Sequence, residues 1–115
     1  MPPLASTSTV NPKVKAILAE LRRRLEELYG DRLVKMILYG SHARGDARQY
    51  SDIDVLVVLK GPVWPSQEVR RTGGIVAGLS LEHDEVIQCL FMDDGRYTRD
   101  DTPLLGNVSR EGVEV

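Results

Sequence analysis

A single cysteine, Cys89, leaves this 115-residue chain with no internal disulfide to form. Its stability must then come from a packed core, and a reducing cytoplasm is the expected compartment. Cys89 lies inside an apolar run, so it reads as a buried structural thiol rather than a nucleophile. Long apolar runs are missing too: none approaches the roughly 20 residues that cross a bilayer as a helix. The N-terminus has neither the charged nor the apolar region of a signal peptide, and the expectation is a soluble protein with no membrane role. Nor does one sign of charge dominate. Fifteen Lys and Arg against seventeen Asp and Glu leave a net charge of −2, which offers no general field for nucleic acid. The basic groups Arg22-Arg23-Arg24 and Arg70-Arg71 read as solvated helix faces. No internal repeat is present.

What remains is the make-up of an ordinary globular domain, with 42% apolar and 28% charged residues. The length suits one domain with one core and one site. Residues 1–10, low in charge and without periodicity, are expected to be a flexible tail, and residues 11–115 a single domain. Asn11-Pro12 is a cap followed by a first-turn proline. Val14, Ile17, Leu18, Leu21, Leu25 and Leu28 then recur at helical spacing until Gly30. A second helix is expected over 66–81, with a weaker stripe. Gly73-Gly74 within it lacks the flanking Lys or Ser/Thr of a phosphate loop and reads as close packing or a kink. Trp64 ahead of it reads as a half-buried anchor. A third strand is expected over 84–92, polar chain over 96–101, and a short final helix from Thr102-Pro103 to just before Gly112. Residues 113–115 are either a short edge strand or a frayed end.

The chain is organised around residues 34–59. Leu33–Tyr39 and Ile53–Leu59 are short Val-, Ile- and Leu-rich runs bounded by Gly or Pro, which reads as two buried strands. Alternate side chains of a strand share a face, so Asp52 and Asp54 project together. Two carboxylates that close repel unless a cation lies between them, and oxygen donors of this kind suit Mg²⁺ or Mn²⁺. Gly40-Ser41 turns the first strand into a short segment ending at Arg44. Glycine permits close backbone approach to a ligand, a helix starting there aims its positive end at an anion, and Ser41 and Arg44 add a hydroxyl and a guanidinium.

Gly40-Ser41, ten residues, then Asp52-Ile53-Asp54, with Arg44-Gly45 and Ser51 between, resembles the signature of the DNA polymerase β nucleotidyltransferase superfamily. The likeness extends over most of the chain after the N-terminal tail and is strongest to the minimal nucleotidyltransferases, many of them antitoxins paired with HEPN toxins. It implies a small mixed β-sheet, α/β (α+β) in class, with helices packed on one face and the Asp52/Asp54 site on the other. It also implies transfer of a nucleoside monophosphate, with AMP from ATP the expected donor chemistry. Asp52 and Asp54 would hold two Mg²⁺ or Mn²⁺ ions, and Gly40 and Ser41 the β- and γ-phosphates. Arg44 would touch phosphate or brace the motif through a carboxylate. Without an acceptor-holding domain, a partner protein such as a HEPN toxin would supply the accepting hydroxyl; transfer to a small molecule fits less well.

The family's third carboxylate comes from the neighbouring strand, and here the sequence leaves alternatives. Glu85 and Asp84 lie at the expected start of that strand, and one register instead puts Gln88 in the position. A glutamine cannot serve as a carboxylate base. The expected function is an enzyme, a Mg²⁺-dependent nucleotidyltransferase supported by the front half of the site; the open third position leaves a catalytically weak or inactive nucleotide-binding antitoxin that acts by complex formation as the alternative. His42, with no orienting partner in the sequence, reads as a surface residue beside the phosphates.

Overall fold

The computed structural model describes residues 10–48, 51–99 and 102–115. The expected tail lies outside them except at Val10, which is buried in the core. Helix α1 (Pro12–Tyr29) begins as its cap dictates: the Asn11 side chain accepts the Lys13 N–H at 2.8 Å, and Pro12 occupies the first turn. It ends where Gly30 adopts a φ of 55°. One face buries Val14, Ile17, Leu18, Leu21, Leu25 and Tyr29. The opposite face carries the Arg22–Glu26, Arg23–Glu27 and Arg24–Glu20 pairs, as expected of a solvated surface. Arg70 and Arg71 are exposed on the second long helix as expected, and Arg71 also pairs at 3.2 Å with Glu68, which is buried and accepts the Tyr29 hydroxyl at 2.6 Å.

A single 3₁₀ turn leads into β1 (Leu33–Tyr39), followed by α2 (Ser41–Arg44), β2 (Ile53–Leu59), α3 (Pro65–His83), β3 (Ile87–Asp93), α4 (Asp94–Arg99), α5 (Pro103–Glu111) and β4 (Val113–Glu114). The sheet order is β3-β2-β1-β4. β1 pairs antiparallel with β2 and β4, whereas β2 and β3, joined through α3, run parallel. Residues 113–114 are therefore an edge strand.

Strand alternation divides the core in two. Met36, Leu38, Ile53, Val55, Val57, Leu59, Ile87 and Phe91 face α1 and α3, while Ile37, Leu56, Val58 and Met92 pack with Tyr97, Leu105 and Val108 of α4 and α5. The two long helices cover one face as expected, but the short ones cover part of the other, so the site face is not bare.

Several features differ from expectation. The third strand starts at Ile87, not at 84, because α3 continues to His83 and Asp84 closes it in the left-handed conformation (φ 53°). The stretch read as polar chain over 96–101 is helical as far as Arg99, with Tyr97 buried; residues 100–101 lie outside the described ones. Trp64 is 60% exposed rather than half-buried. A Cβ at Gly73 or Gly74 would meet nothing within 4 Å, so close packing does not explain these glycines.

Leu21 is fully buried on α1 and Leu28 is 42% exposed. Leu21→Ala should lower unfolding free energy by about 2–5 kcal/mol in urea titration, and Leu28→Ala by no more than about 0.5 kcal/mol.

Candidate active site

At the end of β1, Gly40 takes φ 78° and ψ −157°, a conformation essentially reserved for glycine. The bend starts α2 at once: the Ala43 and Arg44 amides both donate to the Gly40 carbonyl at 3.1 Å, and Gly45, at φ 83°, closes the turn. The missing side chain matters a second time, because a Cβ on Gly40 would lie 2.6 Å from Asp54 Oδ2. The glycine thus turns the chain and admits the carboxylate above it.

The loop returning to β2 is held from within. The Arg48 amide donates to Ser51 Oγ at 2.9 Å and the Ser51 amide to the Arg48 carbonyl at 3.0 Å. His42 Nε2 lies 3.1 Å from the Ser51 carbonyl, which can only accept, so that nitrogen carries the proton. His42 is therefore oriented after all: it ties α2 to the residue before Asp52.

Asp54 pairs across the sheet with Tyr39 of β1 and Gln88 of β3. Gln88 Nε2 donates to Asp52 Oδ2 at 2.7 Å, bringing Asp52, Asp54 and Gln88 together on one face. Burial and then the Asp52 charge push the Asp54 pKa up, against smaller lowering by His42 and Arg44. Burial and the Asp54 charge also raise the Tyr39 phenol.

Of the residues weighed for a third acid, Gln88 occupies the neighbouring position. Glu85 instead pairs with Lys13 of α1 at 3.1 Å, and Asp84 caps α3. Among the described residues no third His, Cys, Asp or Glu groups with Asp52 and Asp54; the one such trio, Glu20, Glu82 and His83, lies on α1 and the end of α3. Cys89 faces the α1/α3 core, its thiol pushed up to about 12 by burial, which fits a structural role.

Glu111 is the site residue that sequence reasoning missed. It accepts the Gly40 N–H at 3.2 Å, and both its oxygens lie 3.2 Å from Arg44 Nη1. Arg44 also pairs with Asp46 at 3.1 Å, and the two carboxylates raise its guanidinium pKa. Of the two roles weighed for Arg44, the contact seen is with carboxylates. No spacing signal pointed to Glu111, which lies 71 positions from Gly40.

The donor set suits a hard divalent cation. Its oxygens come from two carboxylates; burial and then their mutual repulsion raise Asp54, and a cation between them removes that repulsion.

The profile of the nucleotidyltransferase domain family matches residues 18–90. A Methanocaldococcus jannaschii protein provisionally named a protein adenylyltransferase is 31% identical over 86% of this chain and 95% of its own length. A second one from that organism is 48% identical over 38% of the chain, a match spanning only 30% of that relative. Among solved structures, a chain from a toxin–antitoxin complex with AMP-PNP superposes with a TM-score of 0.58 at 18% identity, over 83% of this chain and 69% of that one. A provisionally assigned minimal nucleotidyltransferase gives 0.57 at 20% identity, over 89% and 95%. At such identities these two structures speak for the fold.

Two outcomes follow from this geometry. Gly40→Ala should cost at least about 1–3 kcal/mol in urea titration, since the backbone conformation alone carries that strain. Asp54, whose pKa is higher folded than unfolded, binds its proton more readily in the native state, so its ionisation opposes folding as pH rises through the carboxylate range. Asp54→Asn should therefore melt above the wild type at neutral pH without divalent cation, and the gap should close in acid, as read by thermal melts across pH.

Proposed function

This chain belongs to the nucleotidyltransferase domain family, and we propose that it moves AMP from ATP onto a hydroxyl of a partner protein, in the cytoplasm, as the antitoxin of a HEPN-type toxin. The observation that carries this reading is the convergence of Asp52 and Asp54 beside the Gly40-Ser41 turn. The provisional names of the Methanocaldococcus jannaschii relatives support adenylyl transfer to protein, and the toxin–antitoxin neighbour with AMP-PNP supports a toxin partner and an adenine nucleotide. Among the described residues no helix is long and apolar enough to cross a membrane.

In this mechanism the acceptor oxygen attacks the α-phosphorus of ATP, its hydroxyl proton passes to solvent, and the bond to the departing pyrophosphate breaks. Asp52 and Asp54 would hold Mg²⁺, or Mn²⁺ by the same ligand chemistry, which supplies activation of the attacking oxygen and neutralisation of the leaving charge. Gly40 and Ser41 would receive the β- and γ-phosphates, and Arg44 adds positive charge alongside. His42 keeps the loop before Asp52 in place through Ser51. Gln88 orients Asp52 by hydrogen bond but cannot take the acceptor's proton.

That last point favours a second reading, in which the chain binds nucleotide and toxin without transferring anything. Transfer of label from α-³²P-ATP in Mg²⁺ to the toxin co-expressed with the chain separates the two. The transferase reading expects label on the toxin, lost in Asp52→Asn/Asp54→Asn, and a gain of about 10-fold or more in Gln88→Glu, which restores a proton acceptor. No label from any nucleoside triphosphate, with toxin binding intact, establishes the binding module instead.

A further inference from the structure

Glu111 is the last residue of α5, and little in its surroundings lets it move. Leu105 and Val108 of the same helix are buried against the sheet, and the Gly112 amide closes the helix on the Val108 carbonyl at 2.7 Å. Beyond Gly112 the chain enters β4, where Val113 pairs with Leu38 and Glu114 with Ile37. The Val115 amide donates to the Met36 carbonyl at 3.0 Å, and the Val115 carbonyl accepts from Arg22 Nη1 at 2.7 Å. The backbone that carries this carboxylate is thus anchored on both sides.

What it holds is the turn of the candidate site. Its Oε1 accepts the amide of Gly40, the residue whose backbone departs furthest from ordinary geometry there, and its two oxygens take Arg44, three residues on from Ser41. The first and last parts of the turn are thus tied to one group with only 21% of its side chain exposed.

We propose that Glu111 is a positioning residue: it acts through the Gly40 amide and the Arg44 guanidinium to hold the Gly40–Arg44 turn in the shape that receives the nucleotide's phosphates. The chain's C-terminal segment is then part of the site, although it contributes no group to the phosphates. The phosphate half of this inference rests on the function proposed above; the shaping of the turn does not.

Two measurements on the full chain test it, with Glu111→Ala and the conservative Glu111→Gln, whose amide oxygen can still accept from Gly40 but carries no charge for Arg44. The first is amide hydrogen exchange by NMR. Glu111→Ala should speed exchange at Gly40 by about tenfold or more, the loss of one charge-assisted hydrogen bond, while the amides of Leu21 and Val57 keep their rates. Glu111→Gln should recover much of the Gly40 protection. The second is binding of ATP with Mg²⁺, where Glu111→Ala should weaken affinity by about tenfold and Glu111→Gln by less. Unchanged exchange at Gly40, or acceleration shared equally by Leu21 and Val57, would overturn the inference. So would tighter ATP binding in Glu111→Ala, which would make the carboxylate a competitor of phosphate. A wild-type chain that binds no ATP would remove the proposed function, and the exchange result alone would then decide the role of Glu111.

Discussion

Two carboxylates one residue apart at the head of a strand cannot turn away from each other, because alternate positions of a pleated chain share a face. Asp52 and Asp54 are under that constraint, and the parts around them answer it. Gly40 has no side chain where Asp54 needs room. His42 fixes the residue before Asp52, and Gln88 gives Asp52 a hydrogen-bond donor in place of water. None of these removes the repulsion, which adds to burial in raising the pKa of Asp54. The molecule folds around a standing electrostatic cost located at one strand end.

That end is the only part of β2 where a charge could sit. Ile53 and the five residues from Val55 to Leu59 are fully buried, α1 and α3 covering one face and α4 and α5 the other. A sheet whose central strand is enclosed on both sides holds its register firmly, since a slip of one residue would bury Asp54 and expose its neighbours. Register then does chemical work. Parallel pairing of β2 with β3 puts Gln88 beside Asp54, and antiparallel pairing of β1 with β4 brings the end of α5 to the Gly40 turn.

Much of this was legible in the residues. The two motif strands follow from apolar runs punctuated by glycine and proline, and α1 from an Asn-Pro start, a 3–4 spacing and a terminal glycine. The Asp52/Asp54 pairing follows from period 2 alone. What sequence could not supply were relations set by tertiary packing. Reading β3 from 84 put Glu85 and Asp84 near the site, but the left-handed cap at Asp84 shifts the strand start to Ile87 and sends Glu85 toward Lys13. A polar run, Asp94-Gly95-Arg96-Tyr97-Thr98-Arg99, conceals a helical turn that buries Tyr97, because one aromatic in six residues shows no period. Glu111 was invisible for a similar reason: a carboxylate at a helix end is unremarkable until β4 brings it to Gly40.

Gln88 is where stability and reactivity pull apart. Its amide sits 2.7 Å from Asp52 and next to Asp54 in the sheet. A carboxylate there would add a third negative charge, and each like charge about 4 Å away costs on the order of 1–4 kcal/mol under water-like to surface-like screening. Domains of this size are stable by only about 5–15 kcal/mol in all, so such a cost is a sizeable share in the cation-free state. Replacing the charge by an amide turns repulsion into a donated hydrogen bond. The same exchange removes a negative ligand from any cation and a proton acceptor from any attacking hydroxyl. A chain that keeps glutamine here gains apo stability by giving up the carboxylate that would speed transfer, and any transfer it performs would depend more heavily on how firmly the Gly40–Arg44 turn and the acceptor are held in place.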